Sequence, residues 1–265
     1  MNSSISISEP RRWRRLLGLY AGATVGLGLL FAAALLAIDP YDTGRFSLLP
    51  SDGVPTYGQR LAFASIGREP EMNVAIIGNS TIQLVDPARV TAASGLRVES
   101  LAIPGTGPRE QLAVADWFRR HHPGNDLRGL VFGLDASWCG AHSLQQLQNP
   151  FPFWLYSDNA VVYAARLLQF KSFEAAARMI KLRLGRVPAM RRDGYNDYET
   201  GKAWDPAGFS QRANEKSAAP PEDLEAGLAA GFPAAAKLGA FLRQLPTATH
   251  IVLVFPPRHY TALPP

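Results

Sequence analysis

The residues best suited to covalent chemistry in this chain gather around Ser80. The turn Gly78-Asn79-Ser80 follows the apolar run Asn73-Val74-Ala75-Ile76-Ile77 and leads into a helix-like stretch, Thr81 to Val90. A strand that stops at a glycine and delivers a serine to a helix start is one way in which α/β enzymes present a nucleophile. The same turn also suits an ordinary connection, because glycine makes the bend and Asn or Ser caps the next helix. A second turn, Pro104-Gly105-Thr106-Gly107-Pro108, puts Pro108 at the first position of a helix. Backbone N–H groups in such a turn hold a phosphate or stabilise an oxyanion, and a plain tight turn uses the same residues. A third strand end carries Asp135, suited to binding a sugar hydroxyl, ordering a loop or capping a turn, with Trp138 close behind. The candidate site is therefore Ser80 as nucleophile, Gly105 or Gly107 as oxyanion donor, and Asn79, Asp135 and Trp138 as substrate contacts.

A serine hydroxyl is a weak nucleophile until a neighbouring base accepts its proton. Of the five histidines, His121 and His122 close a helix, where cationic side chains suit the dipole. His142 lies in the polar loop after Asp135, His250 opens the last strand, and His259 follows Arg258 in a Pro-rich stretch that reads as a solvated loop. No His, Cys, Asp or Glu spacing suggests a metal site, so no metal is expected. No cofactor is expected either, because Gly105-x-Gly107 lacks the third glycine of a dinucleotide fingerprint. The single Cys139 forms no internal disulfide and reads as a buried small hydrophobe.

The elements that position these residues alternate strand and helix. Asn73–Ile77 precedes Thr81–Ala92, Leu96–Ala102 precedes Pro108–His122, and Arg128–Leu134 precedes a loop; the helix-like Pro233–Leu245 then leads to a strand at His250–Phe255. Short β-rich runs alternating with amphipathic helices predict an α/β fold, a parallel sheet with helices on both faces. Ligands of such sheets gather at the carboxyl ends of the strands, where Ser80, Gly105, Gly107, Asp135 and Pro256 all fall.

In order, spacing and preceding strands, the blocks from Asn73 to Asp135 resemble the SGNH hydrolase superfamily, with weaker support from Val252 to Pro257. The likeness is to its membrane-anchored bacterial branch of polysaccharide acetylesterases and O-acetyltransferases. The resemblance implies an SGNH or flavodoxin-like sheet, Ser80 as nucleophile in a Gly-Asn-Ser version of the Gly-Asp-Ser turn, and Gly105 N–H, with Gly107 as runner-up, in the oxyanion hole. Two departures stand out. Where the family supplies an Asn amide, this chain has Asp135, and an ionised carboxylate accepts hydrogen bonds without donating to an oxyanion. The family's Asp-x-x-His pair has no counterpart, since no histidine here follows an Asp by three residues. The chain ends soon after an apolar strand that looks central, so a C-terminally truncated member is the expectation. The alternative is a non-catalytic module of the same fold that binds glycan or scaffolds an envelope assembly.

The N-terminus bears on where this chemistry would occur. Leu16 to Ile38 is uncharged and, at 1.5 Å per residue, spans about 34 Å, enough for a bilayer core of about 30 Å. Signal-peptide apolar regions run to only about 15 residues, so an uncleaved anchor contacting lipid through residues 16–38 is expected. Four arginines precede it, whereas Asp39 and Asp42 follow, which predicts a cytoplasmic tail at 1–15 and an extracytoplasmic domain in a bacterial inner membrane. Outside the first 38 residues, the net charge falls from +5 for the chain to +2, without a basic run or zinc-finger spacing, which argues against nucleic-acid binding.

Residues 39–70 read as a stalk or lead-in with little regular structure, and 71–265 as the main domain with an insertion at about 141–222. Within the insertion, Leu167, Phe170, Phe173, Ala177, Ile180 and Leu184 recur at helical spacing. The expectation is an apolar stripe on the core with a solvated basic face; the alternative is a helix resting on anionic lipid or an acidic glycan. Tyr195-Asn196-Asp197-Tyr198 and Trp204 read as exposed loop aromatics suited to sugar binding or to loop anchoring, and Pro206 to Glu222 as a flexible connection.

Overall fold

Val74–Gly78 (β1), Val98–Ala102 (β2), Gly129–Gly133 (β3) and His250–Val254 (β4) form one four-stranded parallel sheet in the order β2-β1-β3-β4. These relationships come from a computed structural model of the chain, which describes residues 10–46, 53–56, 58–145, 149–201, 205, 208 and 224–257. The eight helices among them are α1 (Pro10–Ile38), α2 (Gln59–Ile66), α3 (Pro87–Ser94), α4 (Pro108–His121), α5 (Ala160–Leu167), α6 (Phe170–Arg183), α7 (Leu224–Ala229) and α8 (Pro233–Leu242). The architecture is α/β, with one N-terminal helix long and apolar enough to cross a membrane, Trp13–Ile38.

Strand alternation divides the core. Side chains two apart share a face, so Ala75 and Ile77 of β1 enter the larger cluster beneath α2, α4 and α8, while Val74 and Ile76 enter a smaller one with Ile82, Val98 and Val90 of α3. Every residue of β1 is buried, as a strand covered on both faces requires. By contrast, β4 has the composition of a central strand but not the burial of one. Among the described residues it is an edge strand, with Ile251, Val252 and Leu253 exposed.

The opposite edge, β2, is covered by the segment around Asp193, whose carbonyl accepts the Ser100 N–H at 2.7 Å. The next residue, Gly194, has φ +69°, and a Cβ there would lie 2.1 Å from the Ser100 carbonyl oxygen.

Several boundaries differ from the sequence reading. The stretch after Ser80 is a series of turns, and the helix begins only at Pro87, capped by Asp86, whose carboxylate accepts the Ala88 N–H at 3.0 Å. The lead-in at 39–70 contains α2, and Ala62, Phe63 and Ala64 are fully buried. Its start is also fixed. Asp39, 1% exposed with φ 45°, accepts hydrogen bonds from the Tyr163 hydroxyl at 2.6 Å, Thr43 at 3.0 Å and the Gly44 N–H at 2.6 Å. The helical spacing over 167–184 falls on two helices broken at Leu168-Gln169; Leu167, ending α5, is buried in the core, and the rest of the stripe faces outward. Ser172, Ala175, Ala176 and Met179 face the core, whereas Phe170, Phe173, Ala177, Ile180 and Leu184 are exposed. Hydrophobic spacing identified the helix but not which of its two apolar stripes the core would take.

Candidate functional site

The chain runs from β1 outward to β2 and then back across to β3, so the winding of the parallel sheet reverses between β1 and β3. In open parallel sheets the crevice outside the strand ends at such a reversal is where ligands bind. The loop after β1 carries Asn79 and Ser80 into that crevice, and the loop after β3 carries Asp135.

Close packing sets this corner. Ile82 lies over both strand ends, and a Cβ on Gly78 or Gly133 would approach it to 2.5 or 2.8 Å, so neither position has room for a side chain. Asn79 shapes the turn through both ends of its amide. Its Oδ1 accepts the Thr81 N–H at 3.0 Å and the Thr81 hydroxyl at 2.9 Å, while its Nδ2 donates across the reversal to Asp135 Oδ2. Asp135 Oδ1 accepts the backbone N–H and hydroxyl of Ser137, capping the turn Ala136–Trp138. Asp135 thus orders the two loops, a role open to an acceptor-only carboxylate.

Ser80 is exposed, and among the described residues its hydroxyl has no hydrogen-bond partner; its carbonyl accepts the Tyr198 hydroxyl at 3.4 Å. Tyr198, known from the sequence only as a loop aromatic, is brought 118 positions along the chain to the candidate nucleophile. Long-range folding makes this approach, which no local pattern encodes.

The glycine turn after β2 hangs from the same strand end. Ile103 N–H donates to the Gly78 carbonyl at 2.9 Å, and Thr106 Oγ1 lies 3.4 Å from that oxygen. Gly107 N–H donates to the Glu110 carboxylate at 3.1 Å, which caps α4 and commits that donor. Gly105 is exposed with φ +64°, and Arg60 holds its carbonyl at 2.8 Å and that of Pro104 at 2.9 Å. Of the two candidate oxyanion donors, Gly105 is the one whose N–H is uncommitted among the described residues.

Trp138 is not placed to touch a substrate. It is 4% exposed and packs edge-on against Phe132 in the core. A cavity of about 570 Å³ opens beyond the Pro104 turn, lined by Arg60, Ile103, Phe151, Trp154, Arg166 and Lys171; neither Ser80 nor Asp135 is on its wall.

The histidines divide by edge. His121 and His122 end α4, at the amino end of the sheet away from Ser80, where each Nδ1 is bonded to the backbone carbonyl four residues earlier. Burial lowers the His121 pKa, against the opposing effect of its hydrogen bond to the Trp117 carbonyl. His250 pairs with Gly129 at that same amino end. His142 is exposed in the loop after Asp135, 3.1 Å from Gln145. His259 and Trp204 lie outside the described residues, as does most of 206–222. Cys139 is a half-buried free thiol, and no group of three or more His, Cys, Asp and Glu among the described residues is arranged to hold a metal ion. No protein family, curated protein or solved structure matches this chain.

Proposed function

We propose that this chain is a membrane-anchored, SGNH-like esterase or O-acyltransferase that acts on an acylated envelope or extracellular glycan through Ser80. The observation that carries this reading is the exposed Ser80 at the sheet's β1/β3 reversal, on a turn braced by the Asn79–Asp135 hydrogen bond. Ser80 Oγ attacks the ester carbonyl, the bond from the acyl carbon to the glycan oxygen breaks, and the acyl group remains on Ser80 until water or a second hydroxyl takes it. Gly105 N–H stabilises the oxyanion of the tetrahedral intermediate. The base of this reading is an Asp/His pair of the resembled family's kind that these 265 residues do not contain; it would take the serine proton and return it to the leaving glycan oxygen.

A glycan suits the half-buried Trp154 ring and the Arg60 guanidinium that line the cavity beyond the Pro104 turn. In this reading the arginine-rich tail is cytoplasmic and the domain extracytoplasmic.

One observation favours a second reading, a binding module of the same fold. Among the described residues no histidine or carboxylate bonds to Ser80. Labelling of the full chain in native membranes by a fluorophosphonate decides between them. Labelling that Ser80→Ala abolishes is the expected result, and unchanged labelling of Ser80→Ala would sink the nucleophile. Retention of acylated glycan without labelling or acyl release would establish the binding module.

A further inference from the structure

The face of α5 and α6 turned away from the core has an apolar stripe that the fold leaves largely exposed. Phe170 is 78% exposed, Phe173 53% and Ile180 43%, and Leu168 at the corner between the helices is exposed as well. At 100° per residue, this stripe is roughly 130° around α6 from the residues that meet the core. A third face between the two carries Lys171, Arg178 and Lys181 together with Glu174. Over residues 160–186 there are six basic side chains and one acidic one. A helix with one apolar stripe and an adjacent cationic stripe is built for the boundary between acyl chains and anionic headgroups.

What covers the stripe is indicated by its neighbour. Phe173 stacks on Phe31 of α1 with ring centroids 4.8 Å apart, and Arg183 donates to the Ile38 carbonyl at 3.0 Å. As the chain advances from Phe31 to Ile38 along α1, contact moves from Phe173 to Arg183 along α6. The start of α6 therefore lies nearest the middle of α1. A 30 Å hydrocarbon core takes about 20 residues of helix, Leu16 to about Leu35. Phe31 then lies about 6 Å inside it, four residues before the boundary. Leu35 is buried against the domain, while Leu27, Leu29 and Leu30 are exposed. Asp39 and its three hydrogen bonds hold this junction fixed.

We infer that the α5–α6 corner is a second membrane contact: Leu168, Phe170 and Phe173 enter the outer acyl-chain region of the bilayer that α1 crosses, and Lys171, Arg178 and Lys181 engage anionic headgroups. The inference rests on α1 as a membrane span, but not on any role for Ser80. It sets the domain at a fixed tilt and brings the cavity bordered by Arg166 and Lys171 beside the headgroups, where an acyl-bearing substrate would be met close to the membrane surface.

The test uses the full chain in vesicles of phosphatidylcholine and phosphatidylglycerol, in a Cys139→Ala background. An environment-sensitive fluorophore is attached at Phe170→Cys, at Leu27→Cys in α1 and at Ala88→Cys on the exposed side of α3. The expected result is blue-shifted emission, quenched by nitroxide-bearing lipid, at positions 170 and 27, with water-like unquenched emission at 88. Water-like emission at 170 with quenching at 27 would overturn the second contact and leave the anchor standing. A blue shift at 170 without lipid quenching would mean that protein covers the stripe, which also overturns it. Loss of quenching at both 27 and 170 would remove the anchor itself. Replacing Lys171, Arg178 and Lys181 together by Gln should reduce quenching at 170 in vesicles rich in phosphatidylglycerol and leave position 27 unchanged. Quenching at 170 that is indifferent to this replacement would overturn the headgroup part of the inference.

Discussion

Glu99 is a carboxyl group enclosed on β2, and neither of its oxygens has a hydrogen-bond partner among the described residues. Burial, reinforced by the carboxylates of Glu69 and Asp193, raises its pKa well above the ordinary 4.5, so the folded chain holds the proton after the unfolded chain has released it. The stability this proton confers is complete below the unfolded pKa and falls as pH rises toward and through the folded one. Glu99→Gln keeps the shape without the ionisation. It should stabilise the protein at about pH 8 by on the order of 1–3 kcal/mol and flatten the dependence on alkaline pH. Denaturation midpoints across the pH range check this, and a variant that loses stability as steeply as the parent would refute it. Residue identities exposed only part of this scale. Ser80 and the turn around it were legible because glycine, an Asx side chain and a preceding apolar run are local signals. Trp138 was misleading, since a large aromatic just after a strand end serves a core as readily as a ligand, and the outcome depended on Phe132 packing against it.

Elements obey the same division. The four apolar runs announced the strands, and their continuity announced a sheet buried on both faces, which β1 and β2 are and β4 is not. The helix at 170–183 was likewise legible, but its orientation was not. A stripe of Ser172, Ala175, Ala176 and Met179 won the core over the larger Phe and Ile stripe, because small side chains let α6 approach the domain. Gly194 is a different kind of constraint, one that appears only when a loop closes the β2 edge. Gly194→Ala combines a left-handed backbone with a 2.1 Å collision against the Ser100 carbonyl. It should cost roughly 2–5 kcal/mol, seen as a lowered chemical-denaturation midpoint in detergent. Gly95→Ala, also at positive φ but with open space for a Cβ, should cost only about 1 kcal/mol by the same measurement.

At the scale of the whole molecule, the apolar N-terminal helix and the domain are one structure. Leu35 belongs to α1 by sequence and to the domain core by burial, at 2% exposure, and Leu36 and Ile38 pack beside it. Leu35→Ala should lower the stability of the full chain in detergent by about 2–5 kcal/mol. Leu27→Ala, whose side chain the domain does not touch, should change it by less than about 0.5 kcal/mol. Equal effects of the two substitutions on thermal unfolding would show that the helix end is not part of the core.

The sequence by itself determined the strand-helix alternation, the parallel sheet, an apolar helix of membrane-crossing length and a serine at a strand end. Each is written in spacing over a few residues, through side-chain alternation, glycine turns or an uncharged run. The tertiary structure alone decided that Asn79 meets Asp135, that Tyr198 reaches the Ser80 backbone, that Gly107 is committed to Glu110 while Gly105 is not, and that α6 turns its larger stripe outward beside α1. Most of these are contacts between distant parts of the chain, and the committed Gly107 amide depends on how the helix start closes. Their choice is made by competition for limited space around the sheet, which local periodicity does not encode.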